Sequence, residues 1–390
     1  MIPFEEALRQ ILAEARLMGE ERAPLFQAGG RVLSRDVVAD RDIPPHALSA
    51  MDGFACRRND LSQKLHVSET IPAGSVPAFS VGPGQCSRIM TGAIVPQGAD
   101  VVVMVENTRV DGDLVEVLQE DSRNNIRQKG EDVSKDDVVL EKGTFITPQV
   151  TAVLALVGCD EVPVMCRPRV AVVATGDELV EPSEKPTEAQ IRNSNSAQLL
   201  HQILDAGCLP QYVGIAVDTP ERIDCLLNKA LNDADVVLLS GGVSMGDFDF
   251  VPGIMEKNGI LLKFQKVAVK PGKPTVFGVR EEKYFFGLPG NPVSTFVIFH
   301  VMVRPFLKAL MGERACERRI EAQLSQEIRR KRTERHEFRP VRLLDAATVQ
   351  PLEYHGSGHI HAYYQADGVI ELAVGTSLLE KGKRVQVRLL

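Results

Sequence analysis

Side chains able to do chemistry cluster in five short segments of this sequence: Thr175-Gly176-Asp177-Glu178; Asp218; Ser240-Gly241-Gly242-Val243-Ser244-Met245-Gly246-Asp247-Phe248-Asp249; Lys270-Pro271-Gly272-Lys273-Pro274; and Leu288-Pro289-Gly290-Asn291-Pro292-Val293-Ser294. Glycine-rich turns let backbone N–H groups close on an oxyanion, and lysines add positive charge. Glu178, Asp218 and Asp249 would repel a bare phosphate, so they make sense if a hard cation such as Mg²⁺ bridges them to it. The mixture points to a phosphorylated ligand bound with a metal. Any single piece has a plainer reading, the glycines as turn chemistry and each carboxylate as a helix N-cap or a solvated loop charge. Their recurrence is what favours a site.

Each segment follows an apolar run of strand character: VAVVAT (170–175), YVGIAV (212–217), VVLLS (236–240), a run over 264–270 and another over 284–288. Helices are expected from about 195 to Ala206, closed by Gly207, over 220–232, and from Pro292 to about Leu310. Continuous β-branched runs alternating with helices predict a parallel sheet covered on both faces, whose ligands sit outside the carboxyl ends of the strands. This α/β domain is expected over 168–312, and all five segments are expected on one rim of it.

The remaining chain reads as a multidomain α/β and β protein. A helix starting near Pro3 opens an N-terminal linking segment, 1–40, expected to pack with a return segment, 137–167, that contains the apolar helix TPQVTAVLALVGC. Between them lies a β-rich insertion domain, 41–136, in which Asp111-Gly112-Asp113 marks a hairpin between VVVMVENTRV and LVEVL. A small all-β domain occupies 313–390. At about 150 residues per domain, 390 residues are more than one core needs.

Composition narrows the class. A net charge of -7 disfavours a general nucleic-acid binder. The start, MIPFEEALRQILAEARL, alternates charge with apolar positions, so no signal peptide is expected, and no apolar stretch is expected to approach a membrane span. Seven cysteines without a C-x-x-C pair suit a reducing cytoplasm and read as small hydrophobes. Arg329-Arg330-Lys331-Arg332 with Arg335 reads first as a solvated strand end, and second as a lure for phosphorylated ligand. His355, His359 and His361, the last two on one face of an expected strand, offer no evident fourth zinc ligand.

Seven motifs, SAMDGFA, RIMTGAIVPQGADVVVMVE, NIRQKGEDV, ATGDEL, SGGVSMGDFDF, KPGKPTVFG and LPGNPVSTF, resemble in order the molybdopterin molybdenumtransferase family, the MoeA-like molybdenum insertases that include the gephyrin E domain. The resemblance covers nearly the whole chain. It implies insertion of molybdate into adenylylated molybdopterin with release of AMP, Mg²⁺ as the divalent ion, and an elongated homodimer. The shared site would lie between the α/β and C-terminal domains of one subunit and the insertion of the other. Molybdopterin adenylyltransferase and acceptor molybdoenzymes are implied as partners, with no nucleic acid and no membrane.

Carried onto this sequence, the resemblance makes Asp52, Glu178, Asp218 and Asp249 catalytic, the last three holding the metal. It assigns ligand contacts to Thr91, Thr175, Gly176, Gly241, Gly242, Ser244, Lys270, Gly272, Lys273, Asn291, Ser294 and Ser357. Lys270, Lys273, Ser294 and Ser357 would bind molybdate, with the two lysines facing one dianion; Thr91 is equally readable as a turn hydroxyl. Two departures stand out. Asn193-Ser194-Asn195 replaces a triplet that commonly begins with Asp, and Pro340 stands where an Arg usually follows the Glu337-Phe338 pair. Arg339 or Arg342 would substitute, or the oxyanion is bound differently, or it is another one such as tungstate. Two other functions compete: the preceding adenylylation of molybdopterin by ATP, and a non-catalytic molybdopterin-binding scaffold.

Overall fold

The computed structural model describes residues 1–242, 251–313, 318–353, 356 and 358–390. Its centre is a six-stranded sheet in the order Leu209–Ala216, Arg169–Thr175, Val236–Ser240, Lys283–Leu288, Val276–Arg280, Leu261–Phe264. The first four strands run parallel, Val276–Arg280 runs antiparallel to them, and Leu261–Phe264 pairs antiparallel with Val276–Arg280. Successive side chains of a strand point to opposite faces. Val170, Val172, Val236 and Leu238 accordingly enter one core with the helices Ser194–Asp205 and Phe4–Glu14, while Ala171, Val173, Val237 and Leu239 enter another with the helix Pro220–Asp233. All eight strand residues are fully buried, which is why these runs are apolar throughout. The edge strand starts at Leu209, ahead of the expected 212; Pro210 is tolerated because an edge need not supply every ladder N–H.

The helix packed on the first face runs Pro292–Leu310, with a π-helical stretch at Phe299–Val303. It corrects one expectation. At 19 residues and a mean hydropathy of 1.5, it is long and apolar enough to cross a membrane. Its window is 78% buried inside the protein, so its apolar character is that of a core helix, with Phe306 packed against Phe277, Tyr284 and Phe286.

A second correction concerns the run over 264–270. Leu261–Phe264 ends in the α/β sheet, and Val269–Lys270 instead pairs in parallel with His336–Leu343 of a different sheet, Lys270 opposite Glu337. Val267 and Val269 stay fully buried through the change, so hydrophobic pattern alone could not reveal it. The strand Val276–Arg280 was not expected; Gly278 interrupts its apolar run, and a Cβ there would lie 2.6 Å from Ile260 Cγ2.

The C-terminal sheet closes on itself. His336–Leu343 pairs with Thr348–Pro351, which continues through Arg319–Leu324, Arg384–Leu389 and Gly368–Leu372 back to His336–Leu343, around a core that includes Leu324, Val341, Val349 and Ile370. Closure leaves this small sheet with few free edges. The insertion carries its own six-stranded sheet, Val101–Met104, Gly53–Cys56, Gln85–Ile89, Leu65–Ile71, Leu114–Val117, Thr108–Asp111. Its last two strands form the expected hairpin, with Asp111 opposite Leu114 and Gly112 at φ 61°. Cys56 and Cys86 face each other there, fully buried, and burial pushes both thiols up to about 12. Cys225, by contrast, is exposed on the outer side of its helix.

Between these bodies, Glu20–Pro24 pairs with Glu161–Met165 and Val37–Val38 with Val138–Leu140 around Leu33, Ile146, Leu154 and Val164. The helix Pro148–Leu156 begins at Thr147, whose hydroxyl accepts the Val150 N–H. The first helix packs elsewhere: Phe4, Ala7 and Ile11 join the α/β core, and Phe4 meets His336 and Phe338 of the C-terminal barrel.

Candidate functional site

Three neighbouring parallel strands and the edge strand beside them end at a cleft of about 330 Å³. Thr175, Gly176 and Glu178 lie at the end of Arg169–Thr175, Asp218 after the edge strand Leu209–Ala216, Ser240, Gly241 and Gly242 at the end of Val236–Ser240, and Pro289, Gly290 and Asn291 after Lys283–Leu288. The N-terminus of the helix Ser194–Asp205 closes one side, and Pro274 reaches in from the KPGKP segment. Gly241 cannot be another residue here: its φ is 100°, and a Cβ would lie 2.5 Å from the Thr175 carbonyl oxygen. At Gly176 a Cβ would meet the Glu178 carboxylate at 2.6 Å, so the glycine lets that side chain fold back over the turn.

Hydrogen bonds fix the rim. Asn195 Nδ2 donates to Ser240 Oγ at 2.9 Å and to the Gly290 carbonyl at 2.7 Å, tying the helix start to two strand ends. Asp177 Oδ1 accepts the Asp218 N–H at 2.9 Å and holds two loops together. Two buried oxygens of the cleft, Thr175 Oγ1 and Asn195 Oδ1, have no hydrogen-bond partner among the described residues. Asn193, where the resemblance places an acid, is a buried N-cap: Oδ1 accepts the Ser196 N–H, and Nδ2 donates to Ser196 Oγ and to the Tyr212 hydroxyl. Its two amide hydrogens are thereby used within the protein, which an aspartate could not have provided.

A second group of charges lies where the strand Val269–Lys270 joins the barrel. Glu337 is fully buried; its Oε1 accepts Arg339 Nε at 2.6 Å and sits 3.3 Å from Lys270 Nζ, and its Oε2 is 3.6 Å from Arg330 Nη1. Arg330, 2% exposed, also donates to the carbonyls of Thr376, Ala373 and Arg335, so this member of the basic run is structural rather than solvated. Arg339 lies beside Lys270, whereas Arg342 is exposed and, by the two-residue period of the strand, belongs to the opposite face from Glu337 and Arg339. Lys273 is exposed, and its carbonyl accepts the Val267 N–H. Ser294 is buried in the first turn of its helix, and Gly272 sits at φ 108° under Ile298.

In the insertion, Asp52 Oδ1 accepts both the backbone N–H of Thr91 at 2.7 Å and its hydroxyl at 2.8 Å. The two bonds, the backbone one first, hold the Asp52 carboxyl below its usual range. None of the described residues lining the cleft comes from 41–136. Ser244, Asp249, His355 and Ser357 lie outside the described residues. Among the described residues no group of three His, Cys, Asp or Glu side chains assembles. His359 caps a short 3₁₀ helix, Ile360–Gln365, that also holds His361; the rings stack at 6.4 Å, a helical arrangement and not the expected strand face. Asn195, which lines the cleft, and Glu337, which pairs with Lys270 and Arg339, are not among the expected site residues. The signal for Glu337 was a carboxylate two residues before an arginine inside a strand run.

An α/β domain with its ligand cleft at the carboxyl ends of parallel strands, flanked by a β-rich insertion and a small β-barrel, defines a multidomain ligand-binding class. Residues 2–158 match the model of the MoeA N-terminal region (domain I and II), 171–309 that of a probable molybdopterin binding domain, and 321–390 that of the MoeA C-terminal region (domain IV). A molybdopterin molybdenumtransferase of Bacillus subtilis is 35% identical over 100% of this chain and 94% of its own length, and one of Staphylococcus aureus is 35% identical over 99% and 95%. The crystal structure of the molybdopterin biosynthesis MoeA protein of Pyrococcus horikoshii OT3 superimposes with a TM-score of 0.87 at 32% identity, covering 100% of both chains. The chain belongs to the molybdopterin molybdenumtransferase family.

Proposed function

We propose that this chain is an enzyme of molybdenum cofactor biosynthesis, a molybdopterin molybdenumtransferase that inserts molybdate into adenylylated molybdopterin with release of AMP. The observation that carries the reading is the strand-end cleft, which sets Glu178 and Asp218 beside two buried oxygens, Thr175 Oγ1 and Asn195 Oδ1, that have no partner among the described residues. Buried polar atoms are almost always paired in folded proteins, so atoms left over at a cleft are matched to a ligand.

The same donor set fits Mg²⁺, which takes carboxylate and neutral oxygens. Glu178 and Asp218, with Asp249, would hold it, and bound there it would offset the charge of the phosphoanhydride. The chain's own residues do the rest. Gly176, Gly241 and Gly242 allow phosphate oxygens close to the backbone, and Asn291 extends that polar rim; Ser244 is expected to join it on the family resemblance alone. Glu178 and Asp218 can also orient the water that cleaves the anhydride. Lys270, Lys273, Ser294 and Ser357 would receive molybdate. Asp52 and Thr91 of a second copy of the chain would complete the site in a homodimer, since the insertion of the same copy contributes nothing to the cleft among the described residues. The protein would act in the cytoplasm, taking its substrate from the adenylyltransferase and passing its product to acceptor apoenzymes.

Incubation with adenylylated molybdopterin, Mg²⁺ and molybdate tests the reading. AMP release with active cofactor is the expected result. ATP consumption would indicate the adenylyltransferase instead, and binding without turnover the scaffold.

A further inference from the structure

We propose that Glu337 is a positioning residue that aims Lys270 and Arg339 together at one tetrahedral dianion, with Arg339 supplying the second cation. The inference rests on the molybdenumtransferase reading and adds to it a group that does not itself touch the substrate. A fully buried carboxylate is costly unless paired, and Glu337 is surrounded by three cations, Lys270, Arg330 and Arg339. Charge counting leaves an excess of two positive charges at this point. Arg330 is buried and committed to three backbone carbonyls. Lys270 and Arg339 keep 41% and 24% of their side chains exposed, and neither has another partner among the described residues.

Arg339 donates its Nε–H to Glu337 Oε1 and Lys270 Nζ forms an ion pair with the same oxygen at 3.3 Å, and both keep donors for something outside. A shared anchor atom forces the two heads to be neighbours, the arrangement a tetrahedral dianion with several acceptor oxygens requires. The register makes the anchor specific, because Lys270 is the direct cross-strand partner of Glu337 and Arg339 is on the same strand face.

The sign of one substitution separates positioning from simple charge. If Glu337 were only a competing anion, Glu337→Gln would tighten oxyanion binding. If it positions, Glu337→Gln weakens it. The half-saturating molybdate concentration for AMP release should rise about tenfold or more in Glu337→Gln and in Arg339→Ala, the loss of one charge-assisted contact. In Glu337→Gln, turnover at saturating molybdate and half-saturation by adenylylated molybdopterin should stay near wild type. An unchanged or lower molybdate requirement in both variants overturns the proposal. Should Glu337→Gln not fold, Arg339→Lys decides: it keeps the charge but loses the Nε contact, so an unchanged requirement overturns the proposal too. Calorimetry with sodium molybdate alone reads the two-cation receptor apart from the reaction. If the wild type binds molybdate more tightly than both variants but releases no AMP, the receptor stands and the molybdenumtransferase reading falls. If wild type and variants bind equally, or none binds, the receptor falls.

Discussion

Asp52 and Thr91 meet through one oxygen: Oδ1 of Asp52 accepts the Thr91 N–H at 2.7 Å and the Thr91 hydroxyl at 2.8 Å, across 39 residues of sequence. The arrangement explains why SAMDGFA and RIMTGA belong together, since the strand Gly53–Cys56 pairs with Gln85–Ile89 and brings the two turns to the same sheet end. Both bonds favour the ionised carboxyl, so Thr91→Val should move the Asp52 titration upward toward the ordinary carboxylate range. The backbone N–H remains in that variant and limits the shift. A carbon-detected NMR titration of Asp52 reads it; no movement would show that the hydroxyl bond is absent in solution.

Glu178 is exposed at the cleft and supports no core, so Glu178→Ala should keep the wild-type melting temperature while losing AMP release and its response to Mg²⁺. Asp52→Ala should be inactive for a different reason if, as proposed, the site is shared between copies. Mixing the two inactive variants after subunit exchange should then restore part of the activity, because one hybrid site is intact. Activity from a strictly monomeric species in sedimentation would refute the shared site.

Phe286 lies at the centre of an aromatic cluster, with ring centroids 4.9 Å from Phe277 and 5.4 Å from Phe306, and is fully buried. Phe286→Ala should cost about 3–5 kcal/mol through lost burial and the cavity left behind. Urea unfolding of the α/β domain measures it, and a loss under about 1 kcal/mol would mean that the core collapses around the gap.

Acid should loosen the joint between the first helix and the C-terminal barrel. Glu371 is held down at about 2, first by His336 beside it and then, against the cost of its burial, by Arg388 and Arg319. His336 also bonds Glu5 of the first helix at 3.0 Å. A carboxyl lowered in the folded state stabilises at pH values above its unfolded value, near 4.3, and that stability is lost as pH falls toward the folded value. Stability should decline between about pH 5 and 2, and Glu371→Gln should flatten that decline. An identical acid profile in the variant would exclude Glu371 as a contributor.

Much of this protein is legible in its one-dimensional pattern. Val170 to Thr175 and Val236 to Ser240 read as buried parallel strands because both faces of a covered sheet are dry, and every position there must be apolar. The glycines and carboxylates after them read as a site because backbone that approaches a ligand closely must lack a Cβ, as Gly241 does. The hairpin at Gly112 was equally local. Tertiary structure decided what depends on pairing between distant segments. Val269–Lys270 continues an apolar run yet pairs with His336–Leu343, since a buried valine satisfies either sheet. The choice between Arg339 and Arg342 was open in sequence; the strand's register, which sets Glu337 opposite Lys270, puts Arg339 beside that pair and Arg342 on the other face. Periodicity tells which residues share a face; which charge lies across from that face is fixed by the partner strand, and no local pattern encodes it.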